Sequence, residues 1–317
     1  MYWFKKSEKD IKNQRIQQAV SEEKYRMSCP LGNSKWDEEG VIQFTCLQRN
    51  TTIKLHTYRC FTKSNQTPQS VTFFFHGLNE HLGLYAHIAQ ALSKQANSLC
   101  VGFDFRGFGK SEGLRGWLQS KEQHIDDCTR FIQLIKQLYP GVKLFALGQS
   151  LGGLTSYLLG MNDLVDGTIL ITPALMDNYY NRPYLKQIAL FLGLLSPTWT
   201  PFPASFPNAS KNPQILEDNM KDPYINWNST LPGTARVLLK MMREAPNTFQ
   251  SYKKPFLIIS GGMDQIIDPE VGQELMKQCT STDKELIYYE NMWHDCIEEQ
   301  EIHEIIPKII EWIKKRQ

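Results

Sequence analysis

The chain of 317 residues has no CxxC pair, no apolar run long enough to cross a bilayer, no basic stripe and no internal repeat, and each absence removes a class of function. Its seven cysteines, at positions 29, 46, 60, 100, 128, 279 and 296, are odd in number and scattered, which argues against a zinc site or a disulfide framework and for a reducing compartment. The longest apolar stretch, residues 188–195, falls far short of the ~20 residues of a spanning helix. The first ten residues are rich in charge and lack the apolar run of an export signal, so the expected location is cytoplasmic. Without such a signal, the glycosylation sequons opening at Asn50, Asn65, Asn208 and Asn228 carry little weight. The net charge is only +2, with lysines and arginines interspersed among acids, and no nucleic-acid partner is expected.

With 41% hydrophobic residues, the chain can bury one large core and still carry an inserted subdomain. Residues 1–36 are dominated by Lys, Glu, Gln and Asn and read as a polar N-terminal arm. Residues 41–47 and 53–60, rich in β-branched and aromatic side chains around the polar turn 48–51, read as a hairpin. Strands then alternate with helices: strands at 71–75, 99–103, 142–147 and 168–172, helices at 85–95, 121–138 and from about 151. The helix at 121–138 places Ile125, Cys128, Phe131, Ile132, Ile135 and Leu138 at three- and four-residue steps. Such alternation implies a mostly parallel sheet with helices on both faces. The rhythm breaks over 173–251, where prolines, aromatics and asparagines surround one amphipathic segment, 184–195, and this reads as an inserted helical cap. Alternation resumes with strands at 256–260 and 285–289 and helices at 269–279 and from about 302, with Pro307 expected to start or kink the last. The core is therefore expected over 37–172 and 252–317.

Chemistry centres on Gly148-Gln149-Ser150-Leu151-Gly152 at the junction of a strand and a helix. A serine at the tip of so sharp a turn needs tiny neighbours two before and two after it, so that strand and helix can approach. Gly148 and Gly152 meet that need, and the N–H of Leu151 lies where an oxyanion would form. Acyl transfer by serine further requires a base and an acid that orients it. Only His294 and His303 follow Ser150; His294 comes off the end of the strand 285–289 by a short loop and is the expected base. Asp264 follows the strand 256–260 directly, through Gly261 and Gly262, and is favoured as the acid over Asp268, which precedes Pro269 and suits a helix cap. The second oxyanion donor is expected from the loop His76-Gly77-Leu78-Asn79-Glu80-His81, at the N–H of Leu78, with His76 supporting that loop. The glycines of the loop 104–113 match neither a P-loop nor GxGxxG, and that loop reads as structural.

As a set, these residues resemble the monoglyceride lipase group of serine hydrolases, from about Val41 to the C-terminus. The resemblance implies the α/β-hydrolase fold with a helical cap and a triad of Ser150, Asp264 and His294. It further implies no metal or organic cofactor, a lipid ester as substrate, and an acyl chain held under the cap. Gly77, Glu80, Leu84 and Ile297 fall where the group binds the substrate's headgroup. Glu80 matches the group's glutamate, whereas Leu84 and Ile297 stand where monoacylglycerol lipases carry arginine and histidine. Hydrolysis of a fatty-acid ester, monoacylglycerol or a related lipid, is the expected reaction. A thioesterase or lysophospholipase on the same triad is the alternative, and a non-catalytic binding protein the rival from another class. The cap's apolar segment is a candidate for peripheral membrane contact, and the sequence leaves the oligomeric state open.

Overall fold

A computed structural model describes residues 34–46, 51–62, 67–177, 183–199, 209–210, 212–227, 230–299 and 301–317. Eight strands form one sheet: β1 (Glu38–Cys46), β2 (Thr51–Cys60), β3 (Ser70–Phe75), β4 (Ser98–Phe103), β5 (Lys143–Gln149), β6 (Gly167–Ile171), β7 (Phe256–Gly261) and β8 (Lys284–Tyr289). Their order is β1-β2-β4-β3-β5-β6-β7-β8. β1 and β2 form the expected hairpin, and β2 runs antiparallel to β4; every pairing from β4 to β8 is parallel.

The central strands read as continuous apolar runs because both faces are covered. The two-residue period of a strand sorts them. Val71, Phe73 and Phe75 of β3 enter one cluster with Cys128, Phe131 and Ile132 of α2 (Lys121–Leu138). Phe74 points the other way, into a cluster with α1 (Ala86–Gln95) and the isoleucines of α8 (Ile302–Lys314). The face of α2 also carries α3 (Leu151–Met161) and α7 (Val271–Gln278). Pro307 lies inside α8, which runs through it from Ile302 to Lys314.

Among the described residues between β6 and β7 stand three further helices, α4 (Pro183–Leu195), α5 (Pro213–Lys221) and α6 (Pro232–Glu244), followed by a 3₁₀ turn at Ala245–Ser251. Each begins on a proline, whose missing N–H costs nothing in the first turn of a helix and whose fixed φ suits it. The amphipathic segment anticipates α4; α5 and α6 were not singled out in the sequence.

Residues 1–33 of the expected arm lie outside the described residues. Its last residue, Trp36, is buried against Tyr58 and Phe74, and its indole N–H donates to the Leu82 carbonyl at 2.8 Å. Five free cysteines, Cys60, Cys100, Cys128, Cys279 and Cys296, are buried. Burial pushes the Cys60 thiol up to about 12, and those of Cys100, Cys128 and Cys296 well above the ordinary range. Among the described residues no helix is long and apolar enough to cross a membrane.

Candidate active site

β5 ends at Gln149 and α3 starts at Leu151, so Ser150 alone makes the turn between them. Its backbone is forced to φ 53° and ψ −116°, a conformation that L-residues rarely hold. The close approach expected of the flanking glycines is present: a Cβ on Gly148 would overlap the backbone of Gly152, and one on Gly152 would overlap the carbonyl of Phe75 at the end of β3. The Ser150 carbonyl accepts from Leu154 and Ala174 at 3.0 Å each, fixing the turn from both sides.

His294 and Asp264 meet as expected from chain order. Nδ1 of His294 lies 2.7 Å from Oδ2 of Asp264, and since a carboxylate only accepts, Nδ1 carries the proton and Nε2 is left as the basic nitrogen. The other oxygen of Asp264 accepts the N–H groups of Ile266 and Ile267, at 2.8 and 3.0 Å, which locks the carboxylate's orientation. Burial opposes an imidazolium at His294, but the charge and hydrogen bond of Asp264 outweigh it, and its pKa lies above the ordinary histidine value. Asp268 accepts the N–H of Glu270 at 3.0 Å and so closes the turn before α7, while His303 is exposed on α8.

Two residues hold the His294 backbone beside the elbow: Thr172 Oγ1 donates to its carbonyl at 2.9 Å, and Gln149, the residue before Ser150, donates to the same carbonyl at 3.3 Å. Sequence reasoning missed both, although Gln149 lies within the elbow motif as a polar side chain on a strand buried on both faces.

The loop after β3 supplies the other side. Leu151 is the first residue of α3, among those whose N–H has no acceptor inside the helix. The N–H of Leu78 likewise has no acceptor among the described residues. His76 is a support: its Nδ1–H donates to the Gly77 carbonyl at 2.7 Å, its Nε2 accepts the Phe105 N–H at 2.9 Å, and burial holds its pKa down at about 4. Glu80 turns back on its own loop, accepting from the Gly77 N–H and from the Tyr85 hydroxyl, both at 3.0 Å. Burial, then the neighbouring Asp295, pushes its carboxyl up to about 7. Leu84 is half-buried, and Ile297 is wholly buried with its carbonyl accepting from His87 at 2.9 Å.

The residues just after His294 are a surprise. Asp295, Glu298 and Glu299, which the sequence analysis did not single out, are all buried. Burial, opposed by the hydrogen bond from Gln149, raises the Asp295 carboxyl, and burial together with the Asp295 charge carries Glu298 well above the ordinary carboxylate range. Among the described residues no group of three or more His, Cys, Asp or Glu side chains is arranged to hold a metal ion.

A parallel sheet in this order, with a strained serine between β5 and α3 and an Asp–His pair at the ends of β7 and β8, defines an α/β-hydrolase. The chain belongs to the serine aminopeptidase S33 family of these hydrolases (Hydrolase_4), whose profile matches residues 66–301. It is 27% identical to the monoglyceride lipase of Rattus norvegicus over 261 residues, 81% of this chain and 86% of that protein. A monoacylglycerol lipase from Paleococcus ferrophilus superposes with a TM-score of 0.72 at 25% identity, over 83% of this chain and 99% of that one. A soluble variant of the Saccharomyces cerevisiae monoglyceride lipase shares the fold, with a TM-score of 0.78 at 18% identity over 90% of this chain and 97% of that one. The protein is a serine hydrolase of monoglyceride lipase-like type, acting on carboxylic esters.

Proposed function

We propose that this protein hydrolyses fatty-acid esters, monoacylglycerol or a closely related lipid ester, through an acyl-enzyme on Ser150. The observation that carries the reading is the Asp264–His294 hydrogen bond, with the backbone of His294 tied to Gln149 immediately before the elbow serine. In this mechanism Ser150 Oγ attacks the ester carbonyl while His294 Nε2 takes its proton, and Asp264 stabilises the imidazolium that forms. The N–H groups of Leu78 and Leu151 receive the oxyanion of the tetrahedral intermediate. His294 returns the proton to the departing alcohol, then activates the water that releases the fatty acid.

Glu80 is engaged by its loop, and Leu84 and Ile297 offer no side-chain hydrogen bonds, which supports broad tolerance of the alcohol headgroup. The cap supports delivery of substrate from a lipid surface. On α4, Tyr184, Ile188, Phe191 and Leu195 recur at helical spacing and are all exposed, with Leu194 and Trp199 beside them. A cytoplasmic enzyme that touches membranes peripherally through α4 fits these features. A thioesterase uses the same machinery and is separated from an esterase only by substrate.

The test is labelling with a fluorophosphonate, followed by a panel of esters and thioesters varied in headgroup and chain length. Labelling of the wild type at Ser150, and its loss in Ser150→Ala, is expected. A wild-type protein that neither labels nor turns over any ester would leave the fold as a binding module.

A further inference from the structure

One stretch of the cap, Ala209, Ser210 and residues 212–227, is bonded on one side to the loop proposed to hold the oxyanion and on the other to the loop carrying His294. On the first side, Nε2–H of His81 donates to Oδ2 of Asp222 at 2.9 Å, and both side chains are buried. Nδ1 of His81 accepts the Gly83 N–H at 3.1 Å, so the ring is held from both sides. The Asp222 carboxylate also accepts the Tyr224 N–H at 2.7 Å, which fixes it to the turn after α5. Four residues on, Asn226 reaches the same loop twice: its N–H donates to the Asn79 carbonyl at 2.8 Å and its side-chain amide to Asn79 Oδ1 at 3.1 Å. Asn79 sits at φ 66° directly after Leu78, so the peptide behind the expected oxyanion donor is held by the cap.

On the second side, the Asp295 N–H donates to the Ala209 carbonyl at 2.8 Å. Ser210 Oγ donates to Glu299 at 2.6 Å, and the Asn219 amide to Glu298 at 2.7 Å. The buried carboxylates of Glu298 and Glu299, which the acyl-transfer steps leave unused, thus find partners in the cap. Within the stretch, the Trp227 indole donates to the Asn219 carbonyl at 2.7 Å, joining the residues that serve the two sides.

We propose that this stretch is a brace that fixes the separation of the oxyanion loop from the histidine loop, with Asp222, Asn226 and Asn219 as positioning residues. The proposal rests on the serine-hydrolase reading above. The brace acts on a substrate of any length, because it sets the machinery rather than the acyl tunnel. A cap that served only to enclose the chain would matter little for an ester too short to reach it. The brace also divides the cap in two: α5 and its flanks are tied to the core, while α4, bearing the exposed apolar stripe, lies outside these bonds.

The experiment uses the full chain and three variants: Asp222→Ala, which removes the acceptor for His81, Asp222→Asn, which keeps one, and Asn219→Ala on the opposite side. With p-nitrophenyl acetate, Asp222→Ala should lower kcat about 10-fold or more with KM changed less than about 3-fold, since a misplacement of about 1 Å can cost on the order of 10²-fold. Asp222→Asn should recover most of the loss. Hydrogen exchange followed by mass spectrometry should quicken in Asp222→Ala over residues 76–83 and, across the brace, over 290–299. Asn219→Ala should quicken the same two segments, and it stands in for Asp222→Ala should that variant not fold. Turnover within 2-fold of wild type in the alanine variants, or faster exchange confined to the side that was cut, would overturn the proposal. A wild type without turnover would instead defeat the hydrolase reading, and the exchange pattern would still decide whether the two loops are coupled.

Discussion

Asp264 divides its carboxylate between two duties: Oδ2 takes the proton-bearing nitrogen of His294 at 2.7 Å while Oδ1 holds the N–H groups of its own loop. The imidazolium is thereby favoured, and the His294 pKa is raised. Because the base must be neutral, kcat/KM should rise with pH through a value above the ordinary ~6.5. The stability contributed by the pair runs the other way: it is complete below ~6.5 and is lost as pH rises through the raised value. A pH–rate profile beside a pH series of thermal melts reads both slopes. A flat rate profile from about pH 5 to 8 would remove histidine as the base.

Replacement of Ser150 separates chemistry from strain. Ser150→Ala should fold and lose turnover by as much as ~10⁶. Ser150→Gly should be equally inactive but melt higher than the alanine variant, because a Cβ held at φ 53° costs of order 1–3 kcal/mol that glycine escapes. Equal melting temperatures would mean that the elbow stores no such strain.

Glu80→Gln tests what that carboxyl is for. With its pKa pushed up to about 7, Glu80 contributes stability below its unfolded value of ~4.5 that is lost as pH rises through 7. The amide keeps an acceptor for Gly77 and Tyr85 and removes the ionisation. The variant should therefore gain in melting temperature over wild type between pH 5.5 and 8.5, with kcat/KM for a simple ester held within about 10-fold. A constant difference across that range would show that Glu80 does not titrate there.

The headgroup site proposed at Leu84 and Ile297 has no side-chain donors, which sets the expected selectivity. Apolar walls discriminate roughly 10- to 200-fold for a methylene, whereas a buried polar site can reject an analogue lacking its hydroxyl by ~10⁴ or more. The kcat/KM values for a monoacylglycerol and for the ethyl ester of the same fatty acid should agree within about 100-fold. A preference for monoacylglycerol beyond ~10⁴ would reveal a polar pocket built from other residues.

The stripe on α4 gives a split result if it meets lipid. Phe191→Asp and Leu195→Asp, both at exposed positions, should weaken binding to phosphatidylcholine liposomes and leave hydrolysis of p-nitrophenyl acetate unchanged. Equal loss on both readouts would indicate a damaged cap.

The central strands were legible because they are buried on both faces and so stand out as apolar runs between amphipathic helices. Ser150 and Asp264 could be picked out for the same reason, since each follows such a strand, whereas His294 follows the part-exposed β8 and was picked out as one of two histidines after Ser150. The cap resisted: α5 is short, and it and the turn after it are tied to distant loops by hydrogen bonds at Asn219, Asp222 and Asn226, which no spacing in the sequence announces. Asp295, Glu298 and Glu299 escaped notice for a related reason. Their burial is imposed by what packs over them, the cap and Gln149, and no local spacing announces a carboxylate whose partners lie about 80 or more residues away.

The sealed cysteines give the molecule a built-in clock. A thiol that is buried and held in its protonated form reacts with an alkylating reagent only while the structure around it is open, so the labelling rate counts openings. Cys128 lies under α2 on one face of the sheet, and Cys296 lies two residues past His294 on the other. Followed peptide by peptide in a mass spectrometer, modification of Cys128 would time the breathing of the sheet and its helices, and modification of Cys296 that of the histidine loop. The difference between the two rates would measure how often the catalytic half comes apart while the rest of the protein stays closed.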